Sequence, residues 1–276
     1  MVFAQRIKEL DNDYLHHKAP SIFAATPWHG ASDRYKFIPT IDAVNALRDN
    51  GFMPVEANQS NTRIPGKGTF AKHMIKFIHQ DHTHVSNVGD EIPQVVLINS
   101  HDGTTPYQMM MGLLRLACSN GLLVNSSTIN KISVRHKGQE DLLAQVIEGS
   151  YEIIGDIPVI AKQVSAFKAI ELSKGEQVAF AGAALMLKNE EMAGIIEPES
   201  ILNIRRFEDK EATLWNTYNI IQENLMKGGA KGKAMNGRNT SLRPIRSVDG
   251  DTKLNKALWA LTENMAKLKT PELIAA

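Results

Sequence analysis

The chain has 276 residues, of which 43% are hydrophobic and 22% charged, a balance that is ordinary for a globular protein with a core of its own. A net charge of +1 excludes recognition by overall charge, so any electrostatic argument must rest on local clusters. The single cysteine, Cys118, excludes a disulfide framework and favours a reducing cytoplasm as the compartment.

Residues 1–20 mix charged and apolar side chains and lack the continuous apolar run of a signal peptide. No later segment has the uninterrupted apolar length that crosses a bilayer. The sequence therefore predicts a cytoplasmic protein without a membrane partner.

The first half of the chain predicts strands that are separated more often by turns than by helices. A helix starts at Pro39–Thr40 and ends before Gly51, with Ile41 and Val44 on one face. The predicted strands are residues 35–38, 52–57, 72–79, 95–99 and 129–136. Residues 72–79 alternate as in a half-buried strand. This layout predicts an α+β fold with a mostly antiparallel, curved sheet backed by long helices.

The stretch from Pro93 to Val124 predicts a buried strand, a polar elbow and then a helix. Thr105–Pro106 suits the first turn of a helix, and the glycine stop signal lies at Ser119–Asn120–Gly121. Between them, apolar residues recur at helical spacing at Met109, Leu113, Leu116 and Ala117.

A strand that leads into a helix N-terminus brings backbone donors and polar side chains together. The elbow therefore predicts an anion or ligand site. Its residues are Asn99, Ser100, His101, Asp102 and Gly103. The alternative is that Asp102 or Thr104 only caps the helix and His101 is a surface residue.

From Gln139 the pattern becomes helical, with a break near Pro158 and a capping box at Ser173 and Glu176. A further helix is predicted at residues 210–226, and a last one begins near Leu254. We expect an α+β core domain at residues 1–190 and a helical C-terminal region at 191–276 that packs on it. The long helical region packs on the sheet or on a neighbouring subunit, and the second arrangement predicts a homo-oligomer.

A basic, glycine-rich loop occupies residues 227–246 and contains no acidic residue. Glycine lets backbone amides approach phosphates, and each cation neutralises one of them. The loop therefore predicts contact with a polyanion, although a solubilising linker has the same composition. Its basic residues are Lys227, Lys231, Lys233, Arg238, Arg243 and Arg246.

A second group of basic residues is interleaved with aromatic residues in or beside the predicted strands. Such a pattern can hold a single strand without reading its sequence, although most aromatic rings of a sheet belong to its core. The basic members are Arg63, Lys67, Lys72 and Lys76, and the aromatic ones are Trp28, Tyr35, Phe37, Phe70 and Phe77.

Two weaker patterns concern metal ions. His79, Asp81, His82 and His84 lie close enough in sequence to meet one cation, although a polar turn explains them as well. Acidic residues between Glu190 and Asp209 include candidates for a two-metal nuclease, or they form a solvated surface. No catalytic triad or nucleotide-binding fingerprint appears, so the sequence predicts no catalytic residue and no cofactor.

Four blocks in chain order carry a resemblance to a known family. They are YKFIPTIDAVNALRDNGFMPVEANQS, NSHDGTTPYQMMMGLLRLACSNGL, LWNTYNIIQENLMKGG and LNKALWALTENMA. Together they cover most of the chain between Tyr35 and Ala266. They resemble an uncharacterised family of phage- and plasmid-borne proteins catalogued as domain of unknown function 932. The resemblance implies a mobile-element setting in a bacterium and implies no reaction.

The leading hypothesis is a non-enzymatic protein of phage or plasmid recombination or replication that binds single-stranded nucleic acid. It would assemble into an oligomer and lay a strand along a groove between the sheet edge and the basic loop. Its layout would be similar to that of annealing proteins with a curved sheet backed by a long helix. The alternatives are an anti-defence protein that binds a host protein, and a metal-dependent nuclease.

Overall fold

The computed structural model describes residues 7–31, 35, 37–83, 91–115, 121–123, 132–134, 142–234 and 237–270. The chain divides into two compact units. Of the described residues, those up to 157 and residues 247–249 form the first unit, and those from 158 to 246 and from 250 to 270 form the second. The main division thus falls between Ile157 and Pro158, whereas composition placed it after residue 190. Residues 158–190 belong with the C-terminal helices because they pack on them.

The first unit is built on an antiparallel sheet. Its strands are β1 (Phe52–Gln59), β2 (His73–His79), β3 (Glu91–Asn99), β4 (Tyr107–Arg115), β5 (Gly121–Leu123) and β6 (Ile132–Val134). Their order is β1-β2-β3-β4-β5, and β6 pairs with the opposite end of β4. Its helices are α1 (Asn12–Lys18), α2 (Thr40–Asp49) and α3 (Leu142–Gly155). The predicted α+β class with a mostly antiparallel sheet is confirmed.

The predicted helix after the elbow is wrong, because residues 107–115 form strand β4. This strand pairs with β3 from Gln108 to Arg115, with Val95 opposite Met111 and Leu97 opposite Met109. Both faces of β4 are buried, so its residues are apolar without alternation, and such a run fits a helix as well as a strand. Asp102–Gly103 lies in the connection from residue 100 to 106, with Gly103 at φ 76°, and an Asp-Gly pair is a turn signal that the apolar spacing obscured.

Two further strand predictions need correction. Strand β2 is buried on both faces apart from its last residue, not half-buried. Met74 packs in an apolar cluster on one face, and His73 bonds to Ser21 and Thr40 on the other. Of residues 35–38, the described Tyr35, Phe37 and Ile38 are not part of a strand. Tyr35 and Phe37 lie against the elbow instead: the Tyr35 hydroxyl donates to the Ser100 carbonyl (3.1 Å), and the Phe37 ring meets His101.

Helix α3 packs closely on the sheet of the first unit. A Cβ at Gly149 would lie 2.6 Å from a methyl of Ile132 and 2.7 Å from Cε of Met109. Only glycine allows the helix to approach β4 and β6 at this distance, so this contact fixes where the helix crosses the sheet.

The second unit is helical. It contains α4 (Ile157–Ala169, from Pro158 onward), α5 (Lys174–Lys188), α6 (Glu190–Ala193), α7 (Leu214–Lys227) and α8 (Val248–Lys269, from Gly250 onward). The predicted helical C-terminal third is confirmed. The capping box of α5 is formed: Ser173 accepts from the Glu176 amide, and Glu176 accepts from the Ser173 amide (2.7 Å).

Helix α7 lies at the centre of the second unit and is buried on nearly all sides. Trp215 stacks on Tyr218, and both rings meet the edge of Trp259 from α8. Phe167 of α4 contacts the same tryptophan. These aromatic contacts hold three helices together. None of the described helices combines the length and the apolar character that crossing a membrane requires.

Candidate nucleic-acid interface

The predicted basic loop contains a short antiparallel hairpin that follows α7. Its strands are β7 (Lys231–Lys233) and β8 (Asn239–Ser241), with Lys231 opposite Ser241 and Lys233 opposite Asn239. The predicted glycine-rich loop therefore includes two short paired strands. Gly237, which lies between the two strands with φ 75°, was the missed sequence signal of a hairpin. We call residues 229–243 the basic hairpin.

One face of the basic hairpin points to solvent and carries its charge. Side chains alternate along a strand, and directly paired residues share a face. Lys231, Lys233, Asn239 and Ser241 therefore lie on the same face, and all four are exposed. Two cations and two small polar side chains thus form one flat surface, a composition that suits phosphate oxygens.

The opposite face of the basic hairpin rests on backbone. Gly232 forms a β-bridge with Ile196, and a Cβ at Gly232 would lie 2.2 Å from the Ile195 carbonyl oxygen. At the start of the hairpin, Gly228 has φ 68°, and a Cβ there would lie 2.5 Å from the Leu242 oxygen. Glycine is required at both positions, so the glycine-rich composition anchors the hairpin instead of loosening it.

Lys188, a residue that the sequence did not single out, fixes the base of the basic hairpin. Its Nζ donates to the carbonyl of Leu225 at the end of α7 and to that of Arg243 (2.7 Å). Burial lowers the pKa of Lys188 to about 8. A backbone bond from Ile245 to the Met226 carbonyl (2.9 Å) closes the same base. The cations of the hairpin are therefore held on a fixed support.

The predicted cations of the basic loop are not equivalent. Lys227 forms an ion pair with Glu223, whose side chain is 3% exposed and also binds Arg206 (2.8 Å). Burial opposes ionisation of Glu223, but these two cations outweigh it and lower the pKa of the carboxyl group. Lys227 is therefore partly neutralised.

The other cations of the loop are exposed, namely Lys231, Lys233, Arg238, Arg243 and Arg246. Among the described residues, no ion pair involves Lys231, Lys233 or Arg243. Exposed cations without acidic neighbours are available to a polyanion.

The basic residues predicted beside the sheet belong to the first unit, and most are already paired. Lys76 is 2% exposed and bonds to Glu56 (3.0 Å), so it cannot reach a polyanion, and its prediction is wrong. Lys67 pairs with Asp102 (3.0 Å) and Lys72 with Asp249 (2.7 Å). Arg63 is exposed. Tertiary contacts that sequence spacing does not reveal therefore reduce this group to one residue.

The aromatic residues predicted to stack bases in the first unit are largely engaged within it. Phe77 is fully buried in β2. Trp28 packs on Phe70 with ring centroids 5.4 Å apart, and Phe37 meets the edge of His101 at 4.9 Å. Tyr35 is bound to the elbow through its hydroxyl group. These contacts favour the alternative that the rings are core and packing residues.

The donors of the predicted anion site are occupied by Asp102. Its carboxylate accepts bonds from Ser100 Oγ (2.7 Å), Thr104 Oγ1 (2.6 Å) and the Thr104 amide (3.1 Å), and Lys67 is its ion-pair partner. Burial raises the pKa of Asp102, but these bonds outweigh it and lower the pKa to about 2. The elbow lacks the helix N-terminus on which the prediction rested, and its own carboxylate takes the place of an anion.

Beside the elbow lies a buried polar network that joins α2, β2, β3 and β4. It consists of Ser21, Thr40, His73, Asn99, His101 and Tyr107. His73 Nδ1 lies 2.7 Å from Ser21 Oγ, and its Nε2 lies 2.8 Å from Thr40 Oγ1. Thr40 Oγ1 also meets His101 Nε2 (3.0 Å) and accepts from Asn99 Nδ2 (3.0 Å). All these side chains are buried, so the network links the sheet to the first turn of α2.

The network predicts that stability falls on acidification. Burial lowers the pKa of His73 from 6.5 to about 4, so between these values the unfolded chain binds the proton and the folded chain does not. The contribution of neutral His73 to the free energy of unfolding is complete above pH 6.5. It declines toward pH 4, by up to about 1.4 kcal/mol per pH unit. Urea titrations at pH 7, 6 and 5 measure this slope.

Two variants serve as controls for the pH dependence. His73→Asn keeps an amide donor and should flatten the slope by about one proton. The exposed His17, changed to Asn, should leave the slope as in the wild type. An equal slope in wild type and His73→Asn would refute the role of His73.

The predicted metal ligands are only partly described. His79 Nδ1 lies 3.3 Å from a carboxylate oxygen of Asp81, and the rings of His79 and His82 have centroids 6.1 Å apart. His84 lies outside the described residues. Within the described ranges, no three histidine, cysteine, aspartate or glutamate residues are grouped as a metal site requires. His79 packs against Phe52, as a polar turn beside the sheet would place it.

Comparison with known proteins gives the family of the chain. The family model "Domain of unknown function (DUF932)" matches residues 28–259. UPF0380 protein YafZ of Escherichia coli (strain K12) is 38% identical over 94% of this chain and 92% of its own length. UPF0380 protein YfjQ of the same strain is 37% identical over 95% of this chain and 93% of its own length. No solved structure matches. The chain therefore belongs to the DUF932 family.

Proposed function

We propose that the protein binds single-stranded nucleic acid without catalysing a reaction, and that the basic hairpin contacts the phosphate backbone. The observation that carries this proposal is the exposed face of β7 and β8, with Lys231 and Lys233 beside Asn239 and Ser241. Between Glu223 and Asp249 the chain has six basic residues and no acidic one. A group of cations with no acidic residue among them attracts the phosphates of a polyanion.

The support under the hairpin strengthens the proposal. A flexible linker would lose conformational entropy when it binds a strand, whereas a fixed surface avoids this loss. Gly232 and Lys188 hold the hairpin against the backbone of its own unit. The composition alone allowed a solubilising linker, and these contacts favour a binding surface.

We place this activity in the cytoplasm, in recombination or replication of mobile elements, with an oligomer laying a strand along its hairpins. The resemblance to phage- and plasmid-borne proteins supports the setting. An antiparallel sheet backed by a helix supports the analogy with annealing proteins, and that analogy concerns arrangement only.

The salt dependence of binding tests the role of the hairpin. In fluorescence anisotropy with a labelled single-stranded oligonucleotide, we expect log Kd to rise linearly with log salt concentration. Each lost phosphate contact lowers the slope by about 0.7 for a single strand, so Lys231→Ala/Lys233→Ala should lower it by about 1.4.

A second double variant with the same change of charge serves as the control. Lys174 and Lys267 are exposed, and they lie near the contact between Glu176 and Lys269. Lys174 is about 21 Å along α5 from Lys188, the residue at the base of the hairpin. Lys174→Ala/Lys267→Ala should keep the wild-type slope. Equal slopes in the two double variants would show that the hairpin has no special role.

A further inference from the structure

An exposed aromatic ring lies in the segment that binds the last turn of α7, the helix that leads into the basic hairpin. Phe207 opens a short 3-10 turn, Phe207–Asp209, and its side chain is 75% exposed. The Nζ atom of Lys210 lies over the ring, 3.9 Å from its centroid. A single exposed apolar residue is ordinary on a protein surface, so its surroundings must decide whether it has a role.

The segment before Phe207 is clamped along the last turn of α7. Arg205 Nε donates to Asn224 Oδ1 (2.8 Å), and Arg206 donates to Glu223 (2.8 Å). Asn224 Nδ2 donates in turn to the carbonyl of Asn203 (3.0 Å). These bonds fix the backbone that carries Phe207, so the ring has a stable place.

The same turn of α7 leads directly into the basic hairpin. Glu223 binds Arg206 with the oxygen that also binds Lys227, and the amide of Gly228 donates to the Asn224 carbonyl (2.9 Å). Phe207 and the cations of the hairpin are therefore attached to one support. Proteins hold single strands with aromatic rings on which bases stack and with cations that contact the phosphates, so a ring and a row of cations on one support suit this task.

We propose that Phe207 is a stacking platform for a nucleobase of the strand whose phosphates contact the basic hairpin. The proposal rests on the proposed function. It adds a reason why a single strand is preferred to a duplex, because the faces of paired bases are stacked on their neighbours and are not accessible to the ring. Lys210 adds a cation–π contact on the ring that it overlies.

The test uses two labelled probes of equal length, an oligothymidine and an abasic oligodeoxynucleotide that has phosphates without bases. Phe207→Ala should weaken binding of the oligothymidine about 10-fold and leave binding of the abasic strand unchanged. Phe207→Tyr should restore the affinity. Phe207→Leu should not, because leucine has an apolar surface but no aromatic face.

Leu268→Ala is the matched control, because Leu268 is 80% exposed on α8 and loses a comparable apolar side chain. It should bind both probes as the wild type does. If Phe207→Ala or Phe207→Leu binds the oligothymidine as tightly as the wild type, the stacking role is refuted while the proposed function stands. If the wild type binds neither probe at low salt, the proposed function fails and the stacking role fails with it.

Discussion

Charge reversal of the basic hairpin should abolish most binding of single-stranded nucleic acid. In the variant with Lys231, Lys233, Arg238 and Arg243 changed to glutamate, we expect an affinity loss on the order of 100-fold or more at low salt. The reason is that four exposed cations become four anions on the surface proposed to face the phosphates. The remaining binding should also depend only weakly on salt. Anisotropy titrations at several salt concentrations measure both effects.

The fold should survive this charge reversal, because all four side chains are exposed. Far-ultraviolet circular dichroism and the midpoint of thermal unfolding check this before binding is compared. Binding of the folded variant with wild-type affinity and salt dependence would remove the basic hairpin from the account.

The second large effect should come from Gly232→Ala, which keeps every cation. The added Cβ would lie 2.2 Å from the Ile195 carbonyl oxygen, and a backbone atom cannot yield as a flexible side chain can. We expect β7 to move away from Ile196, with a cost of about 1–3 kcal/mol in the free energy of unfolding. Because the cations then lose their fixed surface, affinity for a single strand should fall about 10-fold. Urea unfolding and anisotropy measure the two losses.

Gly194→Ala is the matched control for this substitution. Gly194 directly precedes Ile195, the residue whose carbonyl Gly232 faces, and a Cβ at Gly194 would meet nothing within 4 Å. This variant should fold and bind as the wild type does. If Gly232→Ala destabilises the protein but binds as tightly as the wild type, the cations act without a fixed hairpin, as those of a flexible linker would.

The sequence was sufficient where local patterns decide the structure. Periodicity and a glycine stop predicted helix α2 and strand β1, and the Ser173–Glu176 pair predicted the capping box of α5. Each of these signals lies within a few residues of the element that it predicts. Strand β4 was predicted as a helix because a strand buried on both faces lacks alternation. The prediction followed the apolar spacing, whereas the turn signal at Asp102–Gly103 should have been given more weight.

The candidate site was predictable in composition but not in geometry. The basic residues between Lys227 and Arg246 are visible in the sequence, whereas the face they occupy depends on how β7 pairs with β8 and where Gly232 rests. Lys76 and Lys231 were both predicted to contact nucleic acid, but Lys76 is buried against Glu56. Lys188 donates to carbonyl groups that lie 37 and 55 residues further along the chain. No local sequence pattern reveals a contact over such a separation.

The measurement that tests the central claim most directly is the binding of labelled single-stranded and duplex oligonucleotides to the purified wild-type protein at several salt concentrations. The mass of the protein in solution should be recorded under the same conditions. We expect an oligomer that binds the single strand more tightly than the duplex, with an affinity that falls steeply as salt increases. Absence of binding to either oligonucleotide at low salt would contradict the account and direct the search to a protein partner in the host.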